Sequence, residues 1–345
     1  MLSAKQGKHM RLLSTAALIC ALAATLAAPA RAQQASEIRI SKGFGILYLP
    51  LIVMQDQKLI EAKAAEAGLG AIKASWFTFD GGNVINDAMI AGALDVAGIG
   101  APGFITLWSK GKGNPKTEVI GVSGLSATSL YLNTNNPAIK TLRDFTEKDK
   151  IALPGVKTSL SAVVLQMAAA AEFGRENFAK LDSLTVGLGH PDALAALLAG
   201  KTEVNAHFTS PPFSYLELKD PKVHRVLNSV DLLGNITLDV VFANKRFTET
   251  NPKLTEAFLA ALEQANEMIA KEPRKAADIF VRTSPVKVSE DEVLGILADK
   301  DTQFSTTPNG VMRFVEFMGL AGSIKVLPKT WQDLYIPQLH GKKGS

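Results

Sequence analysis

Two series of short β-forming runs, each alternating with helical stretches, constrain this chain more than any other feature. In the first, Glu37 to Ile40, Ala74 to Phe79, Asp95 to Ile99 and Val119 to Ser123 have strand character, with helical patterns over Leu49 to Ala67, Asn83 to Ala91 and Phe104 to Lys110. In the second, strand-like runs at Ile151, Leu184 to Gly187, Val204 to Phe208 and His224 to Leu227 enclose helical patterns over Ser159 to Phe173 and Pro191 to Ala199. Such alternation predicts an α/β fold with parallel pairing through crossovers. Two further extended segments, Ser129 to Asn133 and Leu238 to Ala243, bracket the second series. A chain that leaves one lobe and later returns to it needs two such crossings. The expectation is a first lobe of residues 33–130 with 243–345, and a second lobe of 131–242 that includes the crossings.

The tail reads as helical. Asn251-Pro252 suits a helix start, with Asn as cap and Pro in the first turn. Leu254, Phe258, Ala261, Leu262, Ala265 and Ile269 then share one face. Ser289 and Glu292 have capping-box spacing ahead of Val293. These helices are expected to pack on the first lobe.

One phrase occurs twice. Asp87 to Val96 contains A-G-A-L-D-V, and Asp192 to Val204 reads D-A-L-A-A-L-L-A-G-K-T-E-V. Each copy follows a glycine-rich turn, Asp80-Gly81-Gly82-Asn83 in the first and Gly187-Leu188-Gly189-His190 in the second. Each is followed by a strand ending in small or hydroxyl residues: Gly98 to Pro102, then Thr209-Ser210-Pro211. Glycine turns leave the first amides of the next helix uncovered, and a helix N-terminus carries partial positive charge. In open parallel sheets ligands sit at the carboxyl ends of strands, so two facing rims make a cleft. Any single turn of this kind reads more readily as an ordinary capped αβ connection; the duplication, with the export leader described below, argues for a cleft. Other strand ends add Ser41 to Gly45, Ser123 with Ser126, and Gly155 to Ser159. Phe44 and Tyr48 suit stacking on a ligand or packing in the core, and the residues leave both open.

The first 32 residues have the pattern of an export leader. Lys5, Lys8 and Arg11 precede an apolar stretch from Ala16 to Ala28, and Ala30-Arg31-Ala32 offers a cleavage site. A retained anchor is the rival reading, and Pro29 with the small-residue site argues against it. Without the leader the 37 basic residues fall to 33, equal to the 33 acidic ones, so the formal charge is zero. A nucleic-acid or anionic-membrane partner then loses its electrostatic support. The single cysteine, Cys20, leaves too, which removes disulfide, thiolate-metal and cysteine-nucleophile chemistry from the mature chain.

Several motifs are decoys. Gly98, Gly100 and Gly103 match G-x-G-x-x-G, but on the third strand, with Pro102 where a donor is needed and no acidic residue at the next strand end. Gly155 to Thr158 lacks Walker spacing. His190, His207, His224 and His340 have no metal-ligand spacing. His190 opens a rim loop and is kept as a site candidate; His207 and His224 are read as structural. Ser210 lacks a G-x-S-x-G setting.

The runs T-F-D-G-G-N and A-G-A-L-D-V-A-G-I-G-A-P-G within 78–103, L-Y-L-N and I-K-T-L-R-D-F within 130–145, the second copy at 192–204, and F-A-N-K-R-F at 242–247 resemble the periplasmic solute-binding proteins of ABC importers, in the nitrate/sulfonate/taurine-binding group. The likeness spans most of residues 36–285. It implies a two-lobed type II periplasmic-binding-protein fold, each lobe a mainly parallel sheet flanked by helices, joined by two crossover segments. It implies a periplasmic, monomeric, non-enzymatic binding subunit without cofactor or metal. Hinge closure would capture a small molecule, an organosulfonate or related small anion, for an inner-membrane ABC permease with its ATPase. By position the ligand loops fall on Phe44, Gly45, Gly82, Asn83, Gly100, Ala101, Ser123, Ser126, Thr158, Ser159, His190, Thr209 and Ser210. One departure stands out: taurine and some sulfonate binders resemble one another in placing an arginine on the anion, and these loops have none, only Lys42 and Lys157 nearby. A neutral or aromatic ligand therefore stays open. Two alternatives are a pyrimidine-synthase-like enzyme of thiamine precursor synthesis, a related fold with a cysteine-rich site, and a sensory ligand-binding protein.

Overall fold

The computed structural model describes residues 35–79 and 81–345; the leader, Cys20 and Asp80 lie outside the described residues. Strand β1 (Glu37–Lys42) opens the chain, followed by helices α1 (Leu49–Asp56) and α2 (Leu59–Glu66) and strand β2 (Lys73–Thr78). Helix α3 (Gly82–Ile90), strand β3 (Val96–Gly100), helix α4 (Ala101–Gly111) and strand β4 (Val119–Ala127) complete the first series. The helix expected over 49–67 is two helices, because Lys58 adopts left-handed backbone (φ 50°) and resets the helix axis. Helix α4 starts three residues earlier than its apolar pattern predicts. Pro102 fits the first turn, where a missing N–H costs nothing.

Strand β5 (Tyr131–Thr134) then crosses to a second sheet, where β6 (Lys150–Leu153), helix α5 (Leu160–Phe173), β7 (Thr185–Gly187), helix α6 (His190–Ala199), β8 (Val204–Thr209), helix α7 (Phe213–Glu217), β9 (His224–Asn228) and helix α8 (Ser229–Leu233) follow. Strand β10 (Asp239–Asn244) returns. Helices α9 (Lys245–Thr250), α10 (Pro252–Lys271), α11 (Pro273–Thr283) and α12 (Glu290–Ala298), strand β11 (Gln303–Phe304) and helix α13 (Val311–Leu320) end the fold.

The first sheet has the order β11-β4-β10-β3-β1-β2 and the second β7-β6-β8-β5-β9. β1 pairs in parallel with β2 and β3, and β6 with β7 and β8. The two crossing strands run the other way: β10 is antiparallel to β3 and β4, and β5 to β8 and β9. β10 pairs in the first sheet along its whole length, so residues 239–242, grouped above with the second lobe, hydrogen-bond in the first.

Burial follows the patterns that form the elements. Leu254, Phe258, Ala261, Leu262, Ala265 and Ile269 are all buried, and α10 packs its apolar stripe on α1 and α2. Ser289 and Glu292 close a reciprocal capping box on α12. The Asn251 side chain turns back to donate to the Phe247 carbonyl at 3.1 Å. Among the described residues, no helix is long and apolar enough to cross a membrane, and no group of His, Cys, Asp and Glu could hold a metal ion.

Candidate functional site

The carboxyl ends of β1, β3, β6 and β8 bring their following turns together between the two sheets. A cavity of about 60 Å³ lies there, lined by Phe44, Gly82 and Gly100 from the first lobe and by Thr158, Ser159 and His190 from the second, among others. One water needs about 10–15 Å³ on the same measure, so the space suits a compact solute of several heavy atoms. Helices α3, α4, α5 and α6 each contribute residues of their first turn: Gly82, Gly103, Leu160 with Ser161, and His190. Ser159 caps α5, its hydroxyl accepting from the Ala162 amide at 3.2 Å. The amides of Leu160 and Ser161 have no acceptor inside the helix, as at any helix start. Helix starts carry partial positive charge, though α4 and α6 offer fewer free amides than α3 and α5, because Pro102 and Pro191 lack an N–H and the Ala101 amide is bonded to the Leu238 carbonyl.

Several sequence-predicted residues meet at this cavity, and others do not. Phe44, Gly82, Gly100, Thr158, Ser159, His190 and Ser210 line it, as does Tyr48. Asn83 sits at its edge and accepts from the Thr158 hydroxyl across the cleft at 2.6 Å. Thr209 lies behind, its hydroxyl 2.9 Å from His190 Nδ1. Ala101 spends its amide on the Leu238 carbonyl at 2.8 Å. Ser123 and Ser126 turn to other partners: Ser123 Oγ donates to the Thr306 carbonyl at 3.4 Å and Ser126 Oγ to the Leu47 carbonyl at 2.7 Å. Both hydroxyls direct their proton to carbonyls of the first lobe.

The glycines serve a purpose that spacing alone does not reveal. Gly45 (φ 99°, ψ 175°) occupies backbone space essentially reserved for glycine, and a Cβ there would lie 3.1 Å from Ser210 Oγ and 3.2 Å from the Pro211 carbonyl oxygen. Gly81, also at positive φ, faces the Pro154 carbonyl, where a Cβ would lie at 2.6 Å. At Gly100 a Cβ would lie 2.7 Å from Leu160 Cβ. All three are bare so that the second lobe can press against the first. The amide of Ile46 donates to Pro211 O at 3.0 Å in the same contact.

Two buried polar systems complete the site. His207 Nδ1 lies 2.5 Å from Glu217 Oε1, and both side chains are wholly buried. Glu217 Oε2 also accepts from Asn133 at 2.8 Å, which fits a carboxylate accepting from His207 N–H. His207 Nε2 is 2.9 Å from His190 Nδ1. The expectation that His207 is structural thus holds only in part, since it orients a cavity residue. Burial, then the neighbouring His207, hold the His190 pKa well below its ordinary value, so His190 is neutral. The second system is Asp239, which spacing did not reveal. It lines the cavity, is 1% exposed, and its Oδ2 has no hydrogen-bond partner. Burial pushes its carboxyl up to about 7, against a Tyr48 hydrogen bond that favours the charged form. The one available signal was an acid opening an otherwise apolar run, D-V-V-F-A. None of the described lining residues is Lys or Arg. Lys42 Nζ sits 3.3 Å from Thr78 Oγ1, and Lys157 is exposed.

The fold recurs in solved binding proteins. The alkanesulfonate-binding protein SsuA from Xanthomonas axonopodis pv. citri, bound to MOPS, superposes with a TM-score of 0.65 at 17% identity, covering 86% of this chain and 96% of that one. The periplasmic aliphatic sulphonate-binding protein SsuA from Escherichia coli gives 0.63 at 19% identity, over 87% and 99%. The periplasmic nitrate-binding protein NrtA from Synechocystis PCC 6803 gives 0.66 at 12%, over 86% and 84%. No curated protein matches the sequence. These neighbours share the periplasmic-binding-protein fold, and they are binding proteins rather than enzymes. A model of the NMT1-like family matches residues 32–282, well over half of the chain, and with the two-sheet architecture and its shared cleft this places the protein: it belongs to the NMT1-like family.

Proposed function

We propose that this chain is the extracytoplasmic solute-binding subunit of an ABC importer, which captures a small polar molecule between its lobes and hands it to a membrane permease. The observation that carries the reading is the cavity shared by both lobes and surrounded by the first turns of α3, α4, α5 and α6. A solute that touches both rims favours the closed arrangement by its differential contacts, which is how binding becomes closure. Phe44, Gly82, Gly100, Thr158, Ser159, His190 and Ser210 contact the solute in this reading, while Gly45, Asn83 and Thr209 hold the rims that surround it. The helix starts and hydroxyls suit the acidic group of an organosulfonate or related small anion, held by amides and hydroxyls in place of an arginine. The two SsuA neighbours, named for sulfonate binding, support that class.

Native mass spectrometry of the freshly purified protein, paired with small-angle scattering before and after unfolding and refolding, tests the reading. A co-purifying small molecule and a larger radius of gyration once it is removed are expected. A bound solute whose removal and re-addition leave the radius unchanged would sink the capture mechanism.

A further inference from the structure

The buried carboxyl of Asp239 is the feature of the cleft that an anion-binding site does not need. It sits at the start of β10, where the chain has just returned from the second lobe, and so reaches the cavity from the floor of the cleft. One of its oxygens, Oδ2, is buried and has no partner. Groups of this kind are usually satisfied in native proteins, and of the unsatisfied atoms among the described residues Asp239 Oδ2 alone belongs to a residue that lines the cavity. The near neighbours do not provide it with a partner. Tyr48 is a hydrogen-bonding neighbour, yet Oδ2 remains without a bond. Gly100, opposite, has no side chain, and a Cβ there would stand 3.6 Å from Asp239 Oδ1. His190 is neutral and brings no positive charge. No lysine or arginine is among the described lining residues.

We infer that Asp239 is a specificity-determining ligand contact, and that the solute carries a positively charged nitrogen, an ammonium or amidinium, seated on its carboxylate. This rests on the solute-binding reading above and adds to it. The acid group lies on the helix starts, the cationic nitrogen lies on Asp239, and the solute is a compact zwitterion. Charge logic selects this arrangement over a simple anion. A purely anionic guest beside a buried carboxylate meets like-charge repulsion in a low-dielectric space, whereas a nitrogen cation forms a short charge-assisted bond there. A site built around a buried polar group also rejects analogues that leave it unpaired, which makes such a contact selective.

Isosteric probes test it. Acetamidinium and acetamide have nearly the same shape and differ in charge; methanesulfonate represents the anion alone. Thermal-shift titrations of the full protein at millimolar probe are expected to give acetamidinium an apparent affinity at least about tenfold above acetamide. In Asp239→Asn this preference should vanish, while methanesulfonate should bind the variant at least as well as the wild type. Equal affinities of the two isosteres for the wild type would overturn the assignment, whether or not the variant folds. So would a preference that persists in Asp239→Asn. Small-angle scattering on the same samples separates this failure from that of the wider reading. If methanesulfonate contracts the protein and acetamidinium is inert, the binding function stands and the Asp239 assignment falls. If the native solute, once identified, leaves the radius unchanged, the capture reading falls with it.

Discussion

At Asp239, burial and charge pull in opposite directions, and the conflict makes a measurable demand on stability. Its carboxyl rises from 3.8 to about 7 in the folded chain. Below about pH 4 folded and unfolded chains both hold the proton, so the group contributes no pH dependence. Between about pH 4 and 7 the unfolded chain loses it first, and stability falls as pH rises; above about 7 the loss is complete. At 1.36 kcal/mol per unit, the window amounts to at most about 4 kcal/mol. Asp239→Asn carries no such titration. Urea denaturation at pH 4.5 and pH 8 should therefore show the variant gaining on the wild type by about 2–4 kcal/mol across the interval. A constant difference would mean that the carboxyl is solvated. That contact was not legible in the sequence, because an acid before an apolar run reads equally as a strand end at the surface. Only the return of β10 between β3 and β4 buries it. Tyr48 was similarly undecided: its neighbours Ile46 and Leu47 are buried, and the fold places Tyr48 together with Leu47 on the cavity.

At the scale of elements, strand and helix types were legible because period and end signals agree there. The stripe on α10 and the capping box of α12 are examples, and both act within a few residues. What local sequence does not show is long-range. Ser123 and Ser126 have the composition of a binding rim, yet partners 183 and 79 residues away absorb their hydroxyls. The relay behind His190 is long-range as well. His207 and Thr209, two apart on β8, face the same way, so one strand presents both to α6, while α7 supplies Glu217. No linear spacing advertises that triad. If it is a single buried network, removing one end costs more than one average hydrogen bond. Glu217→Ala strips His207 of its acceptor and is expected to destabilise the fold by about 2–4 kcal/mol. A loss below about 0.5 kcal/mol would show that the three side chains are not coupled.

At the scale of the whole molecule the glycine turns set how closely the lobes approach. The turns read in the sequence as suiting an anion or polar group, and Gly82 lines the cavity. For Gly45, Gly81 and Gly100 the structure adds a second demand, contact with Pro211, Pro154 and Leu160 of the opposite lobe. This predicts an effect on closure with no ligand contact altered. A Cβ at Gly45 meets Ser210 and the Pro211 carbonyl and occupies disfavoured backbone space, a cost of about 1–3 kcal/mol. Parting the lobes relieves the two contacts but not the backbone strain, so only the contact share of that cost falls on the closed arrangement. A bias of about 1.4–2.8 kcal/mol against closure lowers apparent affinity about ten- to a hundredfold, because only the closed population holds the solute. Gly45→Ala should therefore bind weakly and show an enlarged radius of gyration in scattering even with solute present. Asn83→Ala is the contrasting case: it deletes the hydrogen bond to Thr158, which lies in the open at the cleft edge. An exposed bond of that sort contributes about 0.5 kcal/mol, so affinity should fall only about twofold. If the two variants weaken binding equally, closure is governed by the rim hydrogen bond rather than by backbone fit. If neither changes the radius, the glycines serve turns within their own lobe and nothing more.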